Sequence, residues 1–134
     1  MSDILIPDSL LYSKEDEWVR VEGGRSTIGV TDYAQQQLGD IVFVELPEVG
    51  RSIEAGEPFG VIESVKAVSD LFAPIAGEIV EVNEGLADRP EAVNEDCYGD
   101  GWMIVVAPAD GANPGGLLDA AAYGRHCAER EEQG

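Results

Sequence analysis

Lysine is nearly absent from this chain. There are two, Lys14 and Lys66, and with arginine they make 8 basic residues against 27 acidic ones, a formal net charge of −19. A surface this acidic repels phosphate, which argues against nucleic acid and anionic membrane faces as partners. It suits transient docking on proteins that present basic patches. Cysteine is also sparse. Cys97 and Cys127 are too few for a disulfide framework, and a reducing compartment keeps them as thiols. No apolar run approaches the roughly 20 residues that cross a bilayer. The start, MSDILIPDSLLYSKEDEW, has neither the basic and apolar regions of a signal peptide nor the arginines of a transit peptide. No membrane association is expected, and the expected location is the cytoplasm.

Glycine and proline, by contrast, are frequent, with 16 and 7 residues in a chain of 134. They divide it into short β-rich pieces. EWVRVE and STIGV flank Gly23-Gly24 and read as a hairpin. Thr31 can cap a short helix, DYAQQQL, whose inner face would hold Val30, Ala34 and Leu38. Gly39 would end it in the left-handed conformation. IVFVEL (41–46), a short piece around Ile53, 59–64, 67–72, EIVEV (78–82) and WMIVVA (102–107) read as strands. Residues 83–101 read as polar loop, 108–116 as a connector and 117–131 as a C-terminal helix. The pattern predicts a mainly β, single-domain fold spanning 1–134, with its core at about 11–107.

An internal repeat refines that. GDIVFV (39–44) returns as GEIVEV (77–82), and Gly60-Val61-Ile62 is loosely matched by Gly101-Trp102-Met103. A motif that occurs only twice points to duplication within one domain, not a solenoid. Two such halves face to face make a sandwich with pseudo-twofold symmetry. Between them lies GVIESVKAVSDLF (60–72), with Lys66 at the tip of the central hairpin.

A lysine at a hairpin tip is most often a solvated group that discourages edge pairing. A Schiff-base lysine would need burial or a cation to lower its pKa, whereas the sequence neighbours are Glu63 and Asp70. Attachment of a group carrier needs a protruding, stiff anchor that does no chemistry itself. A tight tip on a small sandwich meets that need.

ESVKAVSDLFAPIAGEIVEVNEGL strongly resembles the lipoyl-attachment region of glycine cleavage system H proteins. YSKEDEWVRVE, IGVTDYAQQQLGDIVFVELPEVG, PEAVNEDCYGDGW and the C-terminal helix resemble the corresponding family segments in the same order, and the likeness runs from about residue 11 to 106. The resemblance implies a hybrid barrel-sandwich of two antiparallel sheets with flanking helices. It implies lipoate in amide linkage on Lys66, and recognition of Glu63, Gly50 and Gly77 by a lipoate ligase or an octanoyl/lipoyl transferase. It further implies a non-catalytic, monomeric carrier that serves the P, T and L proteins of glycine cleavage. Relatives commonly carry histidine where Asp16 stands and proline where Cys97 stands.

The acidic run Glu15-Asp16-Glu17 is a candidate lining for a cleft that shelters the loaded arm, although a solvated run is the better default. NEDCYGDG superficially resembles a calcium loop, but its twelfth position is Val105, so no metal is expected. His126-Cys127 cannot alone hold zinc. Trp18 and Trp102 read as core anchors, and Cys97 as a loop residue open to exposure. Three other readings stand beside glycine cleavage: a lipoate donor or relay, a lipoyl or biotinyl module of another complex, and an enzyme acting through Lys66. Biotin domains favour methionines beside the lysine, where this chain has Val65 and Ala67.

Overall fold

A computed structural model describes residues 4–108 and 117–133. The elements are β1 (Leu11–Tyr12), β2 (Glu17–Glu22), β3 (Arg25–Val30), α1 (Asp32–Leu38), β4 (Ile41–Glu45), β5 (Ser52–Ile53), β6 (Pro58–Ser64), β7 (Val68–Phe72), β8 (Gly77–Val82), α2 (Gly85–Asp88), α3 (Ala92–Glu95), β9 (Ile104–Pro108) and α4 (Ala120–Gln133). Gly23 and Gly24 both take positive φ, 55° and 78°, as a tight turn between β2 and β3 requires.

All strand pairs are antiparallel. Six strands form one sheet in the order β1-β2-β3-β9-β8-β5, and three form the other in the order β4-β6-β7. The two copies of the repeat fall in different sheets. β4 holds the strand of GDIVFV and pairs with β6, while β8 holds that of GEIVEV and pairs with β9. Side chains from both sheets, among them Ile28, Ile53, Ile62, Leu71, Ile79 and Ile104, make one buried cluster. This is a mainly β barrel-sandwich with short flanking helices.

A second cluster lies under α4. Tyr123 stacks on Tyr12 with ring centroids 4.7 Å apart, and Leu10, Trp18, Tyr33 and Cys127 join them. The Tyr123 hydroxyl donates to Asp16 Oδ1 at 2.8 Å and shares a 2.6 Å hydrogen bond with Thr31 Oγ1. The Trp18 indole N–H donates to the Cys97 carbonyl at 2.9 Å. Trp18 is therefore a core anchor, and Trp102 packs half-buried against the same cluster.

Several expectations need correction. Residues 83–101 are not simply loop, because α2 and α3 bury Leu86, Ala92 and Val93. Each helix is four residues long, too short for helical periodicity to show in the sequence. The last strand is shifted to 104–108, because Trp102 N–H turns back to the Gly99 carbonyl. α4 begins at Ala120, not 117: Asp119 Oδ1 accepts from Ala122 N–H, while Leu118 bridges to Tyr12. Pro108 belongs to β9, and 109–116 lie outside the described residues. Gly39 ends α1 at φ 83° and ψ −155°, not in the left-handed helical region. Cys97 is buried, and burial raises its thiol pKa to about 12.

Replacing Tyr123 with Phe would remove both buried hydroxyl contacts and leave the stacking. The expected cost is about 1–2 kcal/mol, read as a lower denaturant midpoint with an unchanged slope.

Candidate attachment site

β6 and β7 run in register from Pro58↔Phe72 to Glu63↔Val68, with one irregularity between Pro58 and Gly60. Residues 64–67 close the hairpin, and neither Val65 nor Lys66 at its tip is a usual turn former. The turn is stabilised by Ser64. Its N–H donates to the Ala67 carbonyl at 2.8 Å, and its Oγ accepts from Lys66 N–H at 3.3 Å and Ala67 N–H at 3.0 Å. The tip is also tied to the segment after α1, where Val65 N–H donates to the Asp40 carbonyl at 3.1 Å.

Asn94 braces that segment. Its Oδ1 accepts from Ile41 N–H at 2.8 Å, and its Nδ2 donates to Gln35 Oε1 and to the Gly39 carbonyl, both at 2.9 Å. The Lys66 stem passes over Gly39, where an added Cβ would stand 3.6 Å from Lys66 Cε. Lys66 itself is exposed and, among the described residues, makes no ion pair. The backbone at the tip is held and the amine is free. Ser64 and Asn94 were not singled out in the sequence. A serine two residues before the lysine was a legible turn signal, whereas Asn94 acts from fifty-three residues beyond Ile41 and left none.

The other expected site residues divide. Glu63 is half-buried on β6, between Phe43 of β4 and Val68 of β7. Gly50 and Gly77 lie apart along the β5 edge of the other sheet, where Gly50 N–H donates to the Ile79 carbonyl at 2.7 Å and Gly77 pairs with Ile53. Gly50 needs its glycine for a φ of 100°. Gly77 needs its glycine for space, because a Cβ would overlap the Ala107 carbonyl and stand 2.9 Å from Pro108 Cα.

A cleft of about 150 Å³ opens between the β2 entry, α1 and the hairpin that bears Lys66. Glu15, Asp16, Glu17 and Asp70 line it, over a floor that includes Val30, Leu38 and Ile62. The run Glu15-Asp16-Glu17 is therefore not a solvated face, and only Glu15 is exposed. Asp16 sits at φ 73° and accepts from Arg130 Nη1 and Nη2, at 2.7 and 2.8 Å. Arg130 also lies over the Tyr33 ring, 4.5 Å from its centroid. Glu17 is 2 % exposed, accepts from Ser13 Oγ at 2.6 Å and from Phe72 N–H at 3.2 Å, and has its pKa raised to about 8, chiefly by burial. No cluster of metal-ligating side chains occurs among the described residues.

An exposed lysine on a braced hairpin, in a small antiparallel sandwich, is the geometry that a carrier module needs. The comparisons agree. A profile of the glycine cleavage H-protein family matches residues 10–130. A glycine cleavage system H protein of Anaeromyxobacter sp. (strain K) is 54% identical over 126 residues, 94% of this chain and 98% of that protein. One from Geobacillus thermodenitrificans is 62% identical over 117 residues, 87% of this chain and 92% of its own. The crystal structure of a glycine cleavage system H protein from Mycobacterium marinum superposes with a TM-score of 0.83 at 40% identity, covering 94% of this chain and 99% of that one. The chain belongs to the glycine cleavage H-protein family, the lipoate-bearing carrier component of the glycine cleavage system.

Glu17 makes a test by pH. With its pKa raised in the fold, it binds a proton that the unfolded chain has released, so its contribution is complete below about pH 4.5 and is lost as pH rises to about 8. Stability should fall across that window by up to about 1.4 kcal/mol per pH unit from this group. Glu17→Gln should flatten the fall, seen as the difference between the two proteins' melting temperatures at pH 5 and pH 8.

Proposed function

We propose that Lys66 is the point of attachment, its Nζ condensed with the lipoyl carboxyl group as an amide. The observation that carries this is the exposed, unpaired amine on a tip held by Ser64, Asp40 and Asn94. An amide removes the lysine's charge, and no carboxylate among the described residues depends on that charge as an ion-pair partner. The residues present thus fit the group. Once attached, lipoate supplies a disulfide/dithiol that takes up the aminomethyl group of glycine at the P protein, yields it at the T protein and is reoxidised at the L protein.

The chain's own part is mechanical and electrostatic. The sandwich is a single, monomeric carrier domain that performs no reaction itself. It fixes the base of the arm while the arm's end travels, so a partner meets a predictable anchor. The cleft beside α1 offers Glu15 and Asp70 as acceptors for an ammonium group, and a buried Glu17 behind them. A cation there would favour ionised Glu17 and lower its pKa. The apolar floor keeps water away from whatever the cleft encloses. Glu63, with Gly50 and Gly77, is read by the lipoate ligase or the octanoyl/lipoyl transferase. No helix among the described residues is long and apolar enough to cross a membrane, and we place the carrier in the cytoplasm.

The test is intact mass with peptide mapping after incubation with a lipoate ligase, ATP and lipoate. One lipoyl adduct on Lys66 is expected, absent from Lys66→Arg, whose melting temperature should match the parent. No adduct, under conditions that modify a known lipoyl domain, would remove the assignment.

A further inference from the structure

Large apolar side chains left in water are normal when scattered and informative when gathered. Seven are exposed among the described residues, and four of them, Val42, Phe43, Val65 and Val68, belong to the three-stranded sheet and its hairpin tip. They are 52%, 45%, 71% and 67% exposed. Their gathering has a structural cause. Ile41 pairs with Ser64 and Phe43 with Glu63, so Val42 is the extra residue of a bulge. Strict alternation would bury one of two neighbours on a strand. Here both Val42 and Phe43 face solvent between buried Ile41 and buried Val44. A bulge that re-aims a side chain in this way is a recurrent feature beside functional sites.

The register then arranges the patch. Phe43, Glu63 and Val68 lie in one row across β4, β6 and β7, and directly opposed residues share a face. Glu63 is thus flanked by apolar side chains on both neighbouring strands, and Val65 immediately precedes Lys66. The surrounding charges on these elements, Asp40, Glu45 and Asp70, are all acidic.

We propose that this face, Val42, Phe43, Val65 and Val68 around Glu63, is the docking surface for the enzyme that acylates Lys66. It would meet an apolar patch with a basic side chain at its centre and further basic groups at its rim. Two arguments select this occupant. The first is charge: apart from Lys66, which acylation neutralises, the charged residues of β4, β6, β7 and the tip are all carboxylates. The second is reach. An acylating enzyme must bring its reacting centre to Nζ, at the end of a lysine side chain, and so lies directly against the tip. An enzyme that receives the dithiolane at the end of the extended arm can stand off from it. The proposal rests on Lys66 being the acceptor and extends recognition from Glu63 to the apolar surface around it.

The test compares the parent with Phe43→Ser, Val68→Ser and the double variant in lipoylation by a purified lipoate ligase. Val21→Ser, an exposed valine in the other sheet, is the control, and melting curves check the fold. The double variant should bind the ligase at least about tenfold more weakly, with kcat/KM falling alike through KM. It should still reach full modification of Lys66 with excess ligase. The product should then be reduced by dihydrolipoamide dehydrogenase at the parent's rate. Parent-like binding and kcat/KM in the double variant, with the parent modified normally at Lys66, would overturn the docking surface and leave the attachment site standing. An equal loss in the dehydrogenase assay would overturn the choice of occupant. A parent that is not modified at all would overturn both readings.

Discussion

The side-chain amide of Asn94 is the contact on which the site rests. It accepts from the first residue of β4 and donates to the Gln35 side chain within α1 and to the carbonyl of Gly39 at its end. Those contacts fix residues 39–41, and residue 40 in turn accepts from the N–H of Val65. An N–H or C=O left unmet at a buried segment end costs about 1–3 kcal/mol, so one asparagine that meets several such groups firmly specifies where the segment lies. Lys66 takes no part in that bonding through its amine. A carrier lysine that also held the fold together would lose its bond on modification, whereas this one can be acylated without releasing anything.

The abundant negative charge is distributed with similar economy. Most of the ion pairs among the described residues are exposed, such as Arg25–Glu81 at 3.5 Å and Arg89–Glu95 at 2.9 Å, and exposed pairs contribute roughly 0–1 kcal/mol. Asp16–Arg130 differs. It is bidentate and less exposed on both sides, and it is joined by Tyr123 and the Tyr33 ring, so its hydrogen bonds are charge-assisted in a partly dry setting. It draws α4 onto the turn that precedes β2. The same turn delivers Glu15, Asp16 and Glu17 to the cleft. At this turn the chain has an aspartate, which an arginine on α4 engages.

Much of the architecture was legible because it depends on short-range rules. The glycine pair at 23–24, the threonine cap of α1 and the doubled G-[DE]-I-V hexamer each act within a few residues, and each element formed where expected. The misreadings lie where distant parts decide. α2 and α3 have no side-chain cap and exist to bury Leu86, Ala92 and Val93 under the sandwich. The acidic run looked solvated because its partners, Arg130, Tyr123 and Phe72, stand far along the chain. Cys97 lies in a loop as expected but is buried, not open to exposure, and its carbonyl receives the Trp18 indole across seventy-nine positions.

The sequence by itself determined that this is a mainly β chain with duplicated halves and a single lysine between them, because strand period, glycine turns and repeats are local patterns. Through its family likeness it also pointed to that lysine, which we propose as the carrier site. Only the tertiary structure decided how the site is furnished. The bracing by Asn94, the cleft walled by three acidic residues of one turn and Asp70 of another strand, and the bulge that turns Val42 and Phe43 outward together all arise from sheet pairing and packing between residues remote in sequence. Such contacts cost chain entropy and are returned by burial that no local window contains.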